Sequence, residues 1–383
     1  VRRILFVANG HGETAIAARI AHEIARLSGD DAGLDLFPLV GTGGGANGLH
    51  VVGPRRTMPS GGLVAMGNVR AFSRDVAAGF AGLLARQIAF VRGARAYDAT
   101  IAVGDAYALA FAFGTRLPTF FVGTAKSVYV APYGPFERVL LRSAVRIFVR
   151  DEATAVRLRS QGVRAEAPGN VIADLAGTRE GAPPGRWIGV LPGSREDAYD
   201  DGLRLARVIR ALGKRRAGTS ALFSVAPTLD ATRFAHALID DGWIPAASDE
   251  TTSSLAFDLR DGDTRLAGWT GDLAPLLEAS IVTLGQAGTA NEQAAAFGVP
   301  VVALDRTAGG GRGGADWYRM RQRRLLGDAL LLVPAQPQDA AASLGALLDD
   351  PERLRAMGAA GRARMGAPGG AEAIARAILS AVA

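Results

Sequence analysis

Cysteine is absent from this sequence, which excludes a disulfide framework, thiolate nucleophiles, Cys-ligated zinc and iron–sulfur clusters. The absence suits a reducing compartment. Long apolar runs are missing too. No stretch of about eighteen apolar residues escapes interruption by charge, so no segment is expected to span a bilayer. The opening Ile4-Leu5-Phe6-Val7-Ala8 breaks off at Asn9-Gly10-His11-Gly12, too short a run for an export signal. No basic run is interleaved with aromatics, which argues against nucleic-acid binding. No repeat of about 20–50 residues is present beyond a coarse βα alternation.

What is there fits two α/β domains. The 383 residues are 49% apolar and 21% charged, an ordinary globular mixture too long for one such domain. The net charge of +6 rests on Arg, as GC-rich coding would give, and would also draw anionic headgroups or nucleotide phosphates. Short β-rich runs alternate with helical patterns, the mark of parallel sheets built from βαβ units. Ile4–Ala8, Ala99–Val103, Thr119–Val122 and Ile147–Val149 read as strands of a first sheet, and Trp187–Leu191, Ala221–Val225, Ser280–Leu284 and Pro300–Leu304 as strands of a second. The polar, turn-rich Gly177–Arg186 between them reads as a linker. The expected division is an α/β domain over 1–178 and a second over 186–366, followed by a helix over 369–383. Phe72 to Val91 has helical apolar spacing, and the apolar loop Thr57–Met66 before it suggests a lipid-acceptor groove or membrane-touching surface.

Three glycine-bearing turns follow strands, where α/β sheets place ligand loops. The first is Asn9-Gly10-His11-Gly12-Glu13-Thr14, which lacks the dinucleotide spacing. The second, Pro192-Gly193-Ser194-Arg195-Glu196, offers a hydroxyl and a guanidinium to diphosphate oxygens; a plain turn would look similar. The third is Gly285-Gln286-Ala287-Gly288-Thr289-Ala290-Asn291-Glu292-Gln293. Its helix start would hold a diphosphate on backbone N–H groups, with Glu292 or Gln293 left for ribose hydroxyls. Gly309–Gly314 reads as either a lid over the donor or a loose loop, with Gln322 on the helix behind it. Asp261-Gly262-Asp263 matches a D-x-D metal motif but reads better as an Asp-Gly hairpin turn.

Together, Leu191-Pro192-Gly193-Ser194-Arg195, Gly288-Thr289-Ala290, Gly104-Asp105, Pro135-Phe136-Glu137 and Gly169-Asn170-Val171-Ile172-Ala173-Asp174 resemble lipid-A-disaccharide synthase over nearly the whole chain. Asn9–Glu13, Gly123-Thr124-Ala125-Lys126-Ser127, Glu292-Gln293-Ala294 and Arg324-Leu325-Leu326-Gly327 resemble its synthase-related branch more closely. The resemblance implies the GT-B architecture, two Rossmann-like α/β domains with a cleft between them, the first (1–178) binding the acceptor and the second (186–366) the nucleotide-sugar, with the helix over 369–383 packing back on the first. It implies an inverting, metal-independent glycosyltransferase with no cofactor, moving a sugar from a UDP-sugar to a glycolipid or lipid-linked acceptor. The protein would be cytoplasmic and peripheral on the inner membrane face, with homodimerisation left open. Asp105 matches the family's aspartate and ranks first as base, then His11, with Glu13 beside them. Nucleotide-sugar contacts would come from Gly193, Ser194, Arg195, Gly288, Thr289, Ala290, Asn291, Glu292, Gln293 and Gln322, and the acceptor loop from Gly10, Gly12, Lys126 and Ser127.

The sequence departs from that family in two places. Its opening G-E-x-S-G-D loop is replaced by Asn9–Thr14, and Gln293 stands where the ribose-binding glutamate usually does. Two alternatives therefore stand beside the transferase: a UDP-sugar 2-epimerase of the same fold, and a catalytically silent nucleotide-sugar-binding protein.

Overall fold

The computed structural model describes residues 2–29, 32–40, 49–56, 79–177, 181–182, 184–194, 196–246, 254–305 and 315–382, with the side chains of Arg2, His11 and 315–319 outside the description. The chain divides into two compact units, Val1–Leu175 with Pro368–Ala383, and Ala176–Ala367.

Strands covered on both faces read as continuous apolar runs, and the first sheet is made of them. Its strands are β1 (Arg2–Ala8), β2 (Ala32–Pro38), β3 (His50–Val51), β4 (Ala99–Gly104), β5 (Thr119–Gly123), β6 (Arg146–Val149) and β7 (Ala165–Glu166), in the order β3-β2-β1-β4-β5-β6-β7. All pairings are parallel. The two-residue side-chain period sends Ile4, Phe6 and Ala8 to one face and Leu5 and Val7 to the other. The first face is covered by helix His11–Ser28, through Ile16, Ile20 and Ile24, and by helix Gly370–Ala381, through Ile374 and Ile378. Helices Phe80–Gly93, Ala106–Phe113 and Glu152–Ser160 cover the second through Leu84, Val91, Leu109 and Leu158.

The second sheet contains β8 (Trp187–Leu191), β9 (Ser220–Ser224), β10 (Ile244–Pro245), β11 (Leu255–Asp261), β12 (Thr264–Trp269), β13 (Ser280–Gly285), β14 (Val301–Asp305) and β15 (Leu330–Pro334), ordered β10-β11-β12-β9-β8-β13-β14-β15. It is parallel from β12 to β15, with β10 and β11 antiparallel at one edge. Asp261 pairs with Thr264 across a two-residue Gly262-Asp263 loop, and Gly262 adopts φ 58°. The D-x-D triplet is therefore a hairpin turn, with Asp261 paired to Arg210 at 2.7 Å.

The first sheet reverses its strand order between β1 and β4, and the parallel part of the second between β8 and β13. At such a reversal the flanking loops part and leave a crevice outside the carboxyl ends of the strands, the usual ligand position in open α/β sheets. One expectation needs correction. Helix starts at His11, so His11 to Thr14 form its first turn rather than a loop. Of the helical spacing from Phe72 to Val91, the described helix begins at Phe80; residues 57–78, including the apolar loop, lie outside the described residues.

Candidate functional site

The first unit gathers polar side chains at the carboxyl ends of β1, β4, β5 and β6. Glu13, one turn into its helix, lies under the glycine turns, close enough that a Cβ on Gly10 would strike its carboxylate and one on Gly104 would come within 3.1 Å of its Cγ. Thr124 donates to its Oε1 at 3.5 Å. Asp105 caps helix Ala106–Phe113, its Oδ1 accepting from the N–H groups of Tyr107 (3.0 Å) and Ala108 (3.2 Å). Oδ1 is thus committed to a structural role. Burial and the neighbouring Asp105 charge push the Tyr107 phenol up to about 12.

Beyond β5, Lys126 pairs with Glu137 at 2.7 Å, and Glu137 accepts from the Gly134 N–H at 2.7 Å. Ser127 is buried, accepting from the Tyr129 N–H at 3.3 Å. Sequence reasoning missed two residues here. Tyr133 is 5% exposed and its hydroxyl has no hydrogen-bond partner; burial above all, then Glu137 and Asp151, raises its pKa above the ordinary phenol value. Asp151 caps helix Glu152–Ser160 through Oδ1, at 2.8 Å from the Thr154 N–H, and leaves its buried Oδ2 unpaired. The sequence signal was positional, since both residues follow or precede strand ends.

In the second unit the turns after β8 and β13 are bound to each other, because the Leu191 carbonyl accepts from the N–H groups of Gln286 (2.9 Å) and Ala287 (3.2 Å). Gly193 adopts φ 126°, a conformation that favours glycine, and Ser194 is exposed. Helix Thr289–Phe297 starts at Gly288 with no side-chain cap, which leaves the N–H groups of its first turn for another acceptor. The polar residues behind that start turn inward. Asn291 is 2% exposed and donates to the Gly285 carbonyl at 3.4 Å, and buried Glu292 accepts from Gln322 Nε2 at 3.4 Å. Gln293 is buried as well. Arg195, residues 309–314 and the His11 side chain lie outside the described residues.

Nine buried side-chain atoms among the described residues have no hydrogen-bond partner. Asn9 Oδ1, Tyr133 Oη, Asp151 Oδ2 and Asn170 Nδ2 belong to the first unit's strand-end region, and Asn291 Oδ1 and Gln322 Oε1 to the second's. Buried polar groups are normally satisfied, so these unpaired atoms are candidates for contacts with a polar ligand. No group of His, Asp or Glu that could hold a metal occurs among the described residues.

The strand order, the two switch points and the turns define a pair of Rossmann-like α/β domains of the GT-B layout. The chain is similar over its whole length to a UDP-N-acetylglucosamine 2-epimerase described for Listeria monocytogenes, with 14% identity, a TM-score of 0.61 and coverage of 100% of this chain and 96% of that one. It is similar to the Neisseria meningitidis UDP-GlcNAc 2-epimerase bound to UDP-GlcNAc, with 14% identity, a TM-score of 0.55 and coverage of 99% and 98%. Acinetobacter baumannii MurG matches with 14% identity, a TM-score of 0.58 and coverage of 99% and 100%. No protein-family model and no curated protein sequence matches the chain. Among the described residues no helix is long and apolar enough to cross a membrane.

Proposed function

We propose that the chain binds a UDP-sugar through its second unit and acts on the sugar as a 2-epimerase. The observation that carries the nucleotide part is the uncapped start of helix Thr289–Phe297 beside the Gly193 turn, joined through the Leu191 carbonyl. Free N–H groups and the helix dipole at that point favour a diphosphate, and Ser194 and Arg195 complete the set. Buried Glu292 and Gln293 lie one turn in, where a ribose could be met. The epimerase chemistry is supported by the named activity of the solved structures of like fold. Asp105, Glu13 and His11 are the candidate acid–base groups, with Asp105 first.

Inversion at C2 needs a bond there to be broken and remade, and the simplest route removes and returns a proton. Incubation with UDP-GlcNAc alone in heavy water should therefore place deuterium at C2 and yield a second UDP-sugar. Unlabelled, unchanged substrate in the presence of bound UDP would exclude the epimerase. Asp105→Asn keeps a cap acceptor for helix Ala106–Phe113 while removing the charge, so turnover should vanish with UDP affinity unchanged.

The second reading is a glycosyltransferase like lipid-A-disaccharide synthase, favoured by the motifs quoted above from nearly the whole length and by the likeness to MurG. It requires release of UDP that depends on an added glycolipid or lipid-linked acceptor.

A further inference from the structure

Two glycines of the first unit make room for one carboxylate. Gly10 precedes helix His11–Ser28 with extended backbone, φ 176° and ψ 175°, which any residue adopts. A Cβ there would meet the Glu13 carboxyl group and nothing else within 4 Å. Gly104 ends β4 with φ 132°, a conformation that favours glycine, and a Cβ there would lie 3.1 Å from Glu13 Cγ. Glu13 thus rests against the residue that precedes Asp105. Thr124 closes a third side. It is 8% exposed and tied by its main chain to both neighbouring strand ends: its N–H donates to the Gly104 carbonyl at 3.1 Å, and its own carbonyl accepts from Arg150 Nη1 at 3.4 Å. Its hydroxyl is left to donate to Glu13 Oε1 at 3.5 Å. Catalytic hydrogen bonds are often this long before substrate binds and tighten in the complex.

We infer that Glu13 is the second acid–base group of the proposed reaction and that Thr124 is the residue that positions it. The inference rests on the epimerase reading and deepens it, because a proton that leaves C2 on one side and returns on the other passes through two groups. The C2–H bond breaks with its electron pair left on the sugar and its proton taken by one carboxylate. The new C2–H bond forms from that pair and a proton given by the other carboxyl group, so nothing is oxidised or reduced. With Asp105 as one of the two, Glu13 is the carboxylate held nearest to it by the strand-end glycines. A glutamate side chain is flexible in water, and proton transfer needs it held in one direction; the Thr124 hydroxyl supplies that hold.

The test follows deuterium entry at C2 of UDP-GlcNAc in heavy water, with kcat and KM determined separately and UDP affinity measured by calorimetry. Thr124→Val keeps the size and the main-chain bonds and loses the hydroxyl. It should lower kcat by about tenfold, the worth of one hydrogen bond to a charged group, with KM and UDP affinity unchanged. Thr124→Ser returns the hydroxyl and should recover most of the loss, which a packing role alone would not allow. Gly10→Ala, whose added methyl meets only the Glu13 carboxyl group, should lower kcat in the same way, and it stands in for Thr124→Val should that variant fail to fold. Glu13→Gln should abolish exchange while UDP still binds. An unchanged kcat in Thr124→Val or Gly10→Ala, a loss carried by KM alone, or an active Glu13→Gln overturns the inference. Absence of exchange in wild type overturns the epimerase reading itself, and the inference with it.

Discussion

Gly361→Ala tests how closely helix Thr289–Phe297, proposed above to hold the diphosphate, is seated. Helix Pro351–Met365 lies against helix Thr289–Phe297 with two glycines at the contact, and a Cβ on Gly361 would stand 2.5 Å from the Ala295 carbonyl oxygen and 3.1 Å from its carbon. That is roughly 0.9 Å short of ordinary contact. The obstacle is backbone, so no rotamer change relieves it. Overpacking of this kind destabilises by about 1–3 kcal/mol, while exchanging glycine for alanine inside a helix returns about 1 kcal/mol. The clash wins by up to about 2 kcal/mol, which lowers the unfolding midpoint of the second unit by up to roughly 8 °C. Gly345→Ala is the matched control. It sits inside helix Pro337–Leu348, where a Cβ would meet Leu212 at an ordinary 3.5 Å, so it should stabilise by about 0.5–1 kcal/mol. Calorimetric scans of both variants, with UDP titrations, read the effect: Gly361→Ala should melt earlier and bind UDP several-fold more weakly. A Gly361→Ala protein as stable as Gly345→Ala would refute the close seating of the two helices.

Three further outcomes are expected. Buried Asp35 accepts from Tyr97 at 2.6 Å and lies 3.0 Å from His50 Nδ1 and 3.2 Å from Arg3; burial raises its pKa, but these hydrogen bonds outweigh it and hold the carboxyl below the ordinary range. Its contribution is therefore present above the unfolded carboxyl value of about 4 and lost as pH falls through the lower folded value. Tyr97→Phe should cost about 1–3 kcal/mol at pH 7 in denaturant titrations, and the gap to wild type should close in acid; a gap constant down to pH 2 would contradict the assignment. Ile378→Ala, at a site with 0% exposure against helix His11–Ser28, should destabilise the first unit by about 2–5 kcal/mol and leave the second unit's transition in place. Asp174 accepts from the N–H groups of Gly369 (2.5 Å) and Ala371 (2.7 Å) at the start of the last helix, so Asp174→Ala should raise amide exchange across residues 370–381, and unchanged protection there would show that the bonds contribute nothing.

The central strands were legible because both of their faces are covered. Trp187–Leu191 falls where its apolar run lies, and Ala99–Gly104 and Ser280–Gly285 extend the expected strands by one glycine each. β2 escaped notice because Asp35 interrupts its apolar run, and what makes that charge tolerable is Tyr97, 62 residues away. β11 (Leu255–Asp261) is interrupted by Asp258, Arg260 and Asp261 and β12 opens with Thr264-Arg265, so neither gives a continuous apolar signal. At the candidate site, glycine turns after strands were readable as turns. The inward packing of Asn291, Glu292 and Gln293 against Gly285 and Gln322, and the unpaired atoms of Tyr133 and Asp151, depend on partners that only tertiary structure brings near.

The return of helix Gly370–Ala381 to the first unit sets an order of assembly during synthesis. The second unit is one unbroken stretch, whereas the first is sewn from two pieces that bracket it. Domains usually mature from the amino end as they emerge; here the later-made lobe can finish first, and the earlier one waits with the part of that face that Ile374 and Ile378 cover left open until residues 370–381 have left the ribosome. For that interval the nascent chain carries an apolar face that a chaperone would recognise.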